Sequence, residues 1–222
     1  MKPISVSSVV ACHVCPRRLY FDLGQERQQR ESPRYTVCKQ ISYHLGHELH
    51  RERIWREILA VMPAADGEVR AFFDACMEAC EAARWTAAVE TDVPVASERL
   101  GIHGVVDKIF DGEPAFAITR STDPPKAGVY NADRLRIACY AACVQEALGR
   151  EVEVGWVEYV PGGICRPCTP QPRDRRAALK AIGAAKKVLA GSVPNRPLKA
   201  PCESCPHSER CLTGIRPLSD LL

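Results

Sequence analysis

Four cysteines near opposite ends of the chain are the residues best equipped for chemistry. Cys15 lies in Cys15-Pro16-Arg17-Arg18-Leu19-Tyr20, and Cys202, Cys205 and Cys211 follow much later as C-x-x-C-x-x-x-x-x-C. Thiolates are soft ligands, and four of them suit either a four-iron cluster or a tetrahedral zinc. Spacing alone does not choose between the two. Either metal would draw the two ends together and close one domain. Pro201 and Pro206, each beside a tail cysteine, favour irregular backbone that can wrap such a group. Three C-x-x-C pairs (12/15, 165/168 and 202/205) also admit a zinc ribbon in which Cys12 and Cys15 pair with the tail. Cys165 and Cys168 fall on a hairpin, as an extra zinc or redox pair or as cysteines without a role. Cys38, Cys76, Cys80, Cys139 and Cys143 fall on helices, where a free thiol packs as a small hydrophobe.

The elements that must position these groups follow from periodicity. Residues 5–22 read as a helical opening, and the polar run 24–35 as a loop. Val37, Ile41, Leu45 and Leu49, then Trp55, Ile58, Leu59 and Met62, predict one long amphipathic helix over 36–62. A second helix follows over 68–87. The period then changes: residues 90–95, 102–110 and 116–119 read as strands, 131–148 as a helix ended by Gly149, 153–160 as a strand and 174–190 as a helix. That order predicts a mixed α/β core with a helical N-terminal part. At 222 residues the chain fits a single domain. Within it, 1–35 and 195–215 would jointly form the metal module, 36–87 the helical part and 88–190 the core. Its net charge of +3 permits a local basic groove without demanding one. No apolar run approaches the roughly 18 residues of a membrane span, and the start has no signal-like apolar stretch. A cytoplasmic protein with no membrane partner is expected, in which twelve cysteines do not make a disulfide framework.

With the cysteines placed, the chain from about Ser7 to Cys211 resembles the RecB-like nucleases of CRISPR spacer acquisition, the fourth numbered family of CRISPR-associated proteins. The matching pieces are Cys15-Pro16-Arg17-Arg18-Leu19-Tyr20, Gly46-His47-Glu48-Leu49-His50, Gly104-Val105-Val106-Asp107, the loop Pro124-Pro125-Lys126 before a helix bearing Tyr140, and the three-cysteine tail. The resemblance implies a PD-(D/E)xK nuclease core, a mixed sheet flanked by helices, with a [4Fe–4S] cluster on Cys15, Cys202, Cys205 and Cys211. It also implies DNA ends as ligand and CRISPR integrase proteins as partners.

Such nucleases join a histidine, an aspartate, a second acid and a lysine two positions beyond it around a divalent metal. His50 and Asp107 match the first two. By register with Pro124-Pro125-Lys126, Ala117 stands at the second acid and Thr119 at the lysine; a slip of one residue sets Ile118 and Arg120 there instead. Arg136 replaces a glutamine four residues before Tyr140. Mg²⁺ or Mn²⁺ would be weakly held by the remnant, so the expectation is a degenerate nuclease centre that still binds DNA. Two alternatives stand beside it: an active exonuclease with a rearranged site, drawing on Glu98, Glu113 or Asp123, and an interaction scaffold that binds no DNA. Asp107 would pair with Arg136 in place of a metal. His44, His47 and His50 recur every three residues, as a metal stripe or a plain polar face. Arg17, Arg18, Lys126, Arg134, Arg136 and Tyr140 are the candidate DNA contacts, with Tyr20 and Tyr130 as further stacking partners.

Overall fold

The computed structural model describes residues 3–23, 31–149, 151–198, 200–203 and 205–212. Among them, six strands form one mixed sheet with helices packed on it. The chain opens with a two-residue strand β1 (Ile4–Ser5), then α1 (Val6–Val14) and α2 (Pro16–Leu23). Three helices follow: α3 (Pro33–His44), α4 (Arg51–Val61) and α5 (Gly67–Glu81). The sheet continues with β2 (Glu90–Ser97), β3 (Ile102–Ile109) and β4 (Phe116–Arg120). After α6 (Asn131–Leu148) come β5 (Gly155–Tyr159), a single turn of 3₁₀ helix at Val160–Gly162, and β6 (Ile164–Cys168). Two helices end the described chain, α7 (Pro172–Leu189) and α8 (Ser208–Leu212).

Local chemistry sets these boundaries. Ser5, Ser32 and Asp66 cap α1, α3 and α5, each side chain accepting from a first-turn amide. Proline opens α2, α3 and α7, where its missing N–H is harmless. Gly149 ends α6 in the left-handed conformation.

The long helix expected over 36–62 is two helices. Gly46 turns the chain between them at φ +95°, and a Cβ there would lie 2.3 Å from Ala87 N. Periodicity misses such a break because α3 and α4 both face the same small core. That core holds Val37, Ile41, Leu45, Ile54, Ile58, Phe73, Met77 and Val160. The larger core lies between the sheet and α1, α6 and α7. β1 was not foreseen. It is too short for a period, yet Ile4 is buried and its amide donates to Gly101 O at 2.9 Å. The loop expected over 24–35 lies partly outside the described residues, and Ser32 and Pro33 already begin α3.

β3 is the axis of the fold. Along one edge it pairs with β2 antiparallel over its whole length. Along the other it pairs with β1 only at Ile102 and His103, parallel, and with β4 only at Lys108 and Ile109, antiparallel. The strands therefore fork around Gly104–Asp107. β4 runs on in parallel with β5, and β5 pairs antiparallel with β6. No helix among the described residues is long and apolar enough to cross a membrane.

Candidate functional site

The fork opens a cavity of about 510 Å³. Ser5, Val6 and Ser7 close it on one side, Gly104, Val105 and Asp107 on a second, and Ile118, Thr119 and Arg120 on a third. Arg136 and Tyr140 of α6, with Glu31 and Tyr35, complete the wall. Gly104 is needed at this spot, since a Cβ would stand 2.8 Å from the Tyr140 ring and hydroxyl.

Asp107 sits at the crotch of the fork, 9% exposed. Both its oxygens have partners. Oδ2 accepts from the Thr119 backbone N–H at 2.7 Å, and Oδ1 accepts from the Lys39 ammonium. Lys39, also 9% exposed, reaches in from α3 and forms a second ion pair with Asp92. Asp92 lies on β2 between Thr91 and Val93, which pair with Lys108 and Val106, so it stands across from Asp107. It holds a positive φ of 53° and also accepts from the Tyr43 hydroxyl. Two carboxylates on adjacent strands repel, and one ammonium between them relieves this. Burial alone would lower Lys39, but Asp107, then Asp92, more than offset it and raise the group above its ordinary range.

This arrangement corrects the expected pairing of Asp107 with Arg136. Lys39 takes that place, and Arg136 instead donates to Asp133 at 3.1 Å. Lys39 was overlooked because i, i+4 periodicity placed its helix without showing which way a single lysine points. The strand register carries a second correction. Lys108 pairs with Ala117, so by alternation Asp107, Ile118 and Arg120 share one face, and Ala117 and Thr119 share the other with Lys108. The slipped register is the one facing the cavity: Ile118 stands where a second acid would, and Arg120 where the lysine would. On the opposite face Lys108 and Glu158 form an ion pair at 2.9 Å, each 1% exposed.

His50 is not part of the cavity. It opens α4 as its N-cap residue without a side-chain cap bond, and its side chain is 57% exposed, 3.7 Å from Glu48. His44 pairs with Glu57 at 2.6 Å, so the three histidines form no metal stripe. Glu98, Glu113 and Asp123 do not line the cavity either. Among the candidate DNA contacts, Arg136 and Tyr140 line it. Arg134 turns away to hold Asp174 of α7 through two hydrogen bonds, at 2.6 and 3.2 Å. Lys126 is exposed on the loop, Arg17 lies on α2, and Arg18 lines a different cavity.

That second cavity gathers Cys15, Cys202, Cys205 and Cys211, with Arg18, Phe21 and His207 among its walls. The tail is fixed to α2 by local contacts. His207 pairs with Asp22 at 2.7 Å and stacks on Phe21, their ring centroids 5.5 Å apart. Cys205 N donates to Cys202 O, and Cys211 N to His207 O, so the backbone curls around the thiols. No three or more His, Cys, Asp or Glu side chains among the described residues converge as ligands of one metal ion. The four cysteines line this one cavity, and four soft donors of this kind suit either an iron–sulfur cluster or a zinc ion. Cys12 does not join them. It packs in the main core, where burial, then Cys15, push its thiol up to about 11. Cys165 and Cys168 both lie on β6, with their thiols raised by burial to about 12 and about 11.

No family model matches the chain, and no curated protein matches it. A search of solved structures finds a crystal structure described as a "putative exonuclease" from Eubacterium rectale. It is 12% identical, covers 99% of this chain and 92% of its own, and superposes with a TM-score of 0.63. The chain has this nuclease-like fold.

Proposed function

We propose that this chain is an iron–sulfur, RecB-like protein of the CRISPR-associated type that binds DNA ends without cutting them. One observation carries the reading: a lysine ammonium and a backbone amide take up both oxygens of Asp107. Metal-dependent hydrolysis needs carboxylates free to hold the cation. Here the second acid is Ile118, and the partner of Asp107 is a tethered positive charge. A divalent ion would have to displace Lys39 from a buried pair.

The nuclease-like fold supports a nucleic-acid ligand, and the cavity retains Arg120, Arg136 and the aromatic faces of Tyr35 and Tyr140 for a strand end. Cys15, Cys202, Cys205 and Cys211 would hold the [4Fe–4S] cluster, which there supplies a cross-link between the ends of the chain. Integrase-like proteins are the partners proposed for such an end-holding subunit.

The deciding experiment is end-labelled single-stranded DNA with Mg²⁺ or Mn²⁺. No chelator-sensitive cleavage is expected, together with binding that weakens steeply as salt rises. Cleavage that EDTA stops and Asp107→Ala abolishes would overturn the inactive centre. Anaerobically purified protein should be brown and carry about four irons per chain. Cys15→Ser should lose that colour, and Cys12→Ser should keep it.

A further inference from the structure

Two guanidiniums in the fork cavity share a single carboxylate. Arg120 Nε lies 2.9 Å and Arg136 Nη1 lies 3.1 Å from the same atom, Asp133 Oδ1. The other oxygen of Asp133 accepts from the Tyr159 hydroxyl at 2.9 Å. Asp133 is 1% exposed and has no further oxygen to offer. The trio thus holds two positive charges against one negative. Arg120 Nε, close to Asp133 but poorly aligned with it, is a buried donor without a hydrogen bond. Burial, then the charge of Arg120, pull Arg136 below its ordinary range. Like charges pressed together away from water are relieved by an anion.

The surroundings favour the same ligand. Asp107, the buried acid that lines the cavity, is paired with the Lys39 ammonium, which it shares with Asp92. Glu31, the remaining acid, is exposed. The first residues of α1 form the facing wall, and a helix start contributes partial positive charge.

We infer that this recess receives the terminal phosphate monoester of a DNA strand, held by Arg120 and Arg136 without a divalent cation. The inference rests on the DNA-end reading above and narrows it to the phosphorylated end. A monoester carries about −1.5 to −2 charge at neutral pH, against about −1 for an internal diester, and so better matches two guanidiniums. The side chains of Arg120 and Arg136 are only 26% and 17% exposed, so a strand terminus enters where a continuous backbone does not. Asp133 and Tyr159 act as positioning residues that aim the two arginines.

The test uses three versions of one single-stranded oligonucleotide: 5′-phosphorylated, 3′-phosphorylated, and hydroxyl at both ends. Binding to the full chain is measured by fluorescence anisotropy in EDTA. One phosphorylated version should bind at least tenfold tighter than the hydroxyl version, and inorganic phosphate should compete away that advantage. Arg120→Gln and Arg136→Gln should each weaken binding of the phosphorylated version more than that of the hydroxyl version, so that the difference between them is erased. Equal affinity for all three oligonucleotides overturns the phosphate recess while leaving DNA binding intact. A preference untouched by both substitutions overturns it as well. Absence of binding to any version overturns the DNA-end reading and the recess with it. The wild-type comparison needs no variant to fold, and melting temperature checks the two that are made.

Discussion

At the scale of single residues, Lys39 decides what the site is. Removing one member of a buried pair leaves the other charge stranded. Lys39→Met is therefore expected to destabilise the protein by about 3–5 kcal/mol in denaturant unfolding. Lys39→Met with Asp107→Asn should cost clearly less than the sum of the single changes. Independent effects would show that the two groups do not interact. The same pair sets an alkaline limb. The folded-state pKa of Lys39 is raised, so its contribution is present below the unfolded value near ~10.4 and disappears as pH climbs through the folded one. Stability of the wild type should fall above that pH, and the double variant should show a flatter curve. Asp107 and the cysteines were legible in the sequence because their types and spacing are unusual. Lys39, Arg120 and Asp133 were not, because each is an ordinary charge whose role comes from a partner distant in the chain, and only folding brings those partners together.

At the scale of elements, the corner between α3 and α4 and the fork in the sheet do the positioning. Gly46→Ala places a Cβ against the backbone of Ala87 in a left-handed turn, so a loss of about 2–4 kcal/mol is expected in thermal or chemical unfolding. A loss under about 0.5 kcal/mol would mean that the corner relaxes freely. Gly104→Ala meets only the Tyr140 side chain and should cost less, about 1–3 kcal/mol, while displacing that ring into the cavity. Loss of DNA affinity with modest loss of stability would separate this effect from general unfolding. Helix α6 and strands β2 to β5 were readable from their period alone. The break at Gly46 and the fork were not, because both halves of a broken helix keep one buried stripe, and strand pairing is a long-range choice that alternation within one strand does not encode. The same limit explains the register of β4: the motif alignment favoured Ala117 and Thr119, and the pairing of Lys108 with Ala117 turns Ile118 and Arg120 toward Asp107 instead.

At the scale of the whole molecule, the ends of the described chain meet around four thiols, and α1 ties that cavity to the fork. Stripping the proposed cluster, by acid or by Cys202→Ser with Cys205→Ser, should lower the melting temperature and open the tail to protease near Arg196, leaving α6 and the sheet protected. An unchanged cleavage pattern would mean that His207, Asp22 and Phe21 hold the tail by themselves. The mixed α/β class was legible from element order, and the meeting of the four cysteines around one cavity from their spacing, since clustered thiols at two ends of a chain are among the few long-range relations that a sequence can announce.

The parallel ladder from Ile4 to Ile102 has a consequence for birth as well as for form. A chain emerging from the ribosome cannot seat its opening strand until almost a hundred further residues have appeared. Cys15 must wait longer still for its three counterparts. Until then the apolar side of α1 is uncovered, so nascent chains halted before β3 should be the ones that chaperones hold.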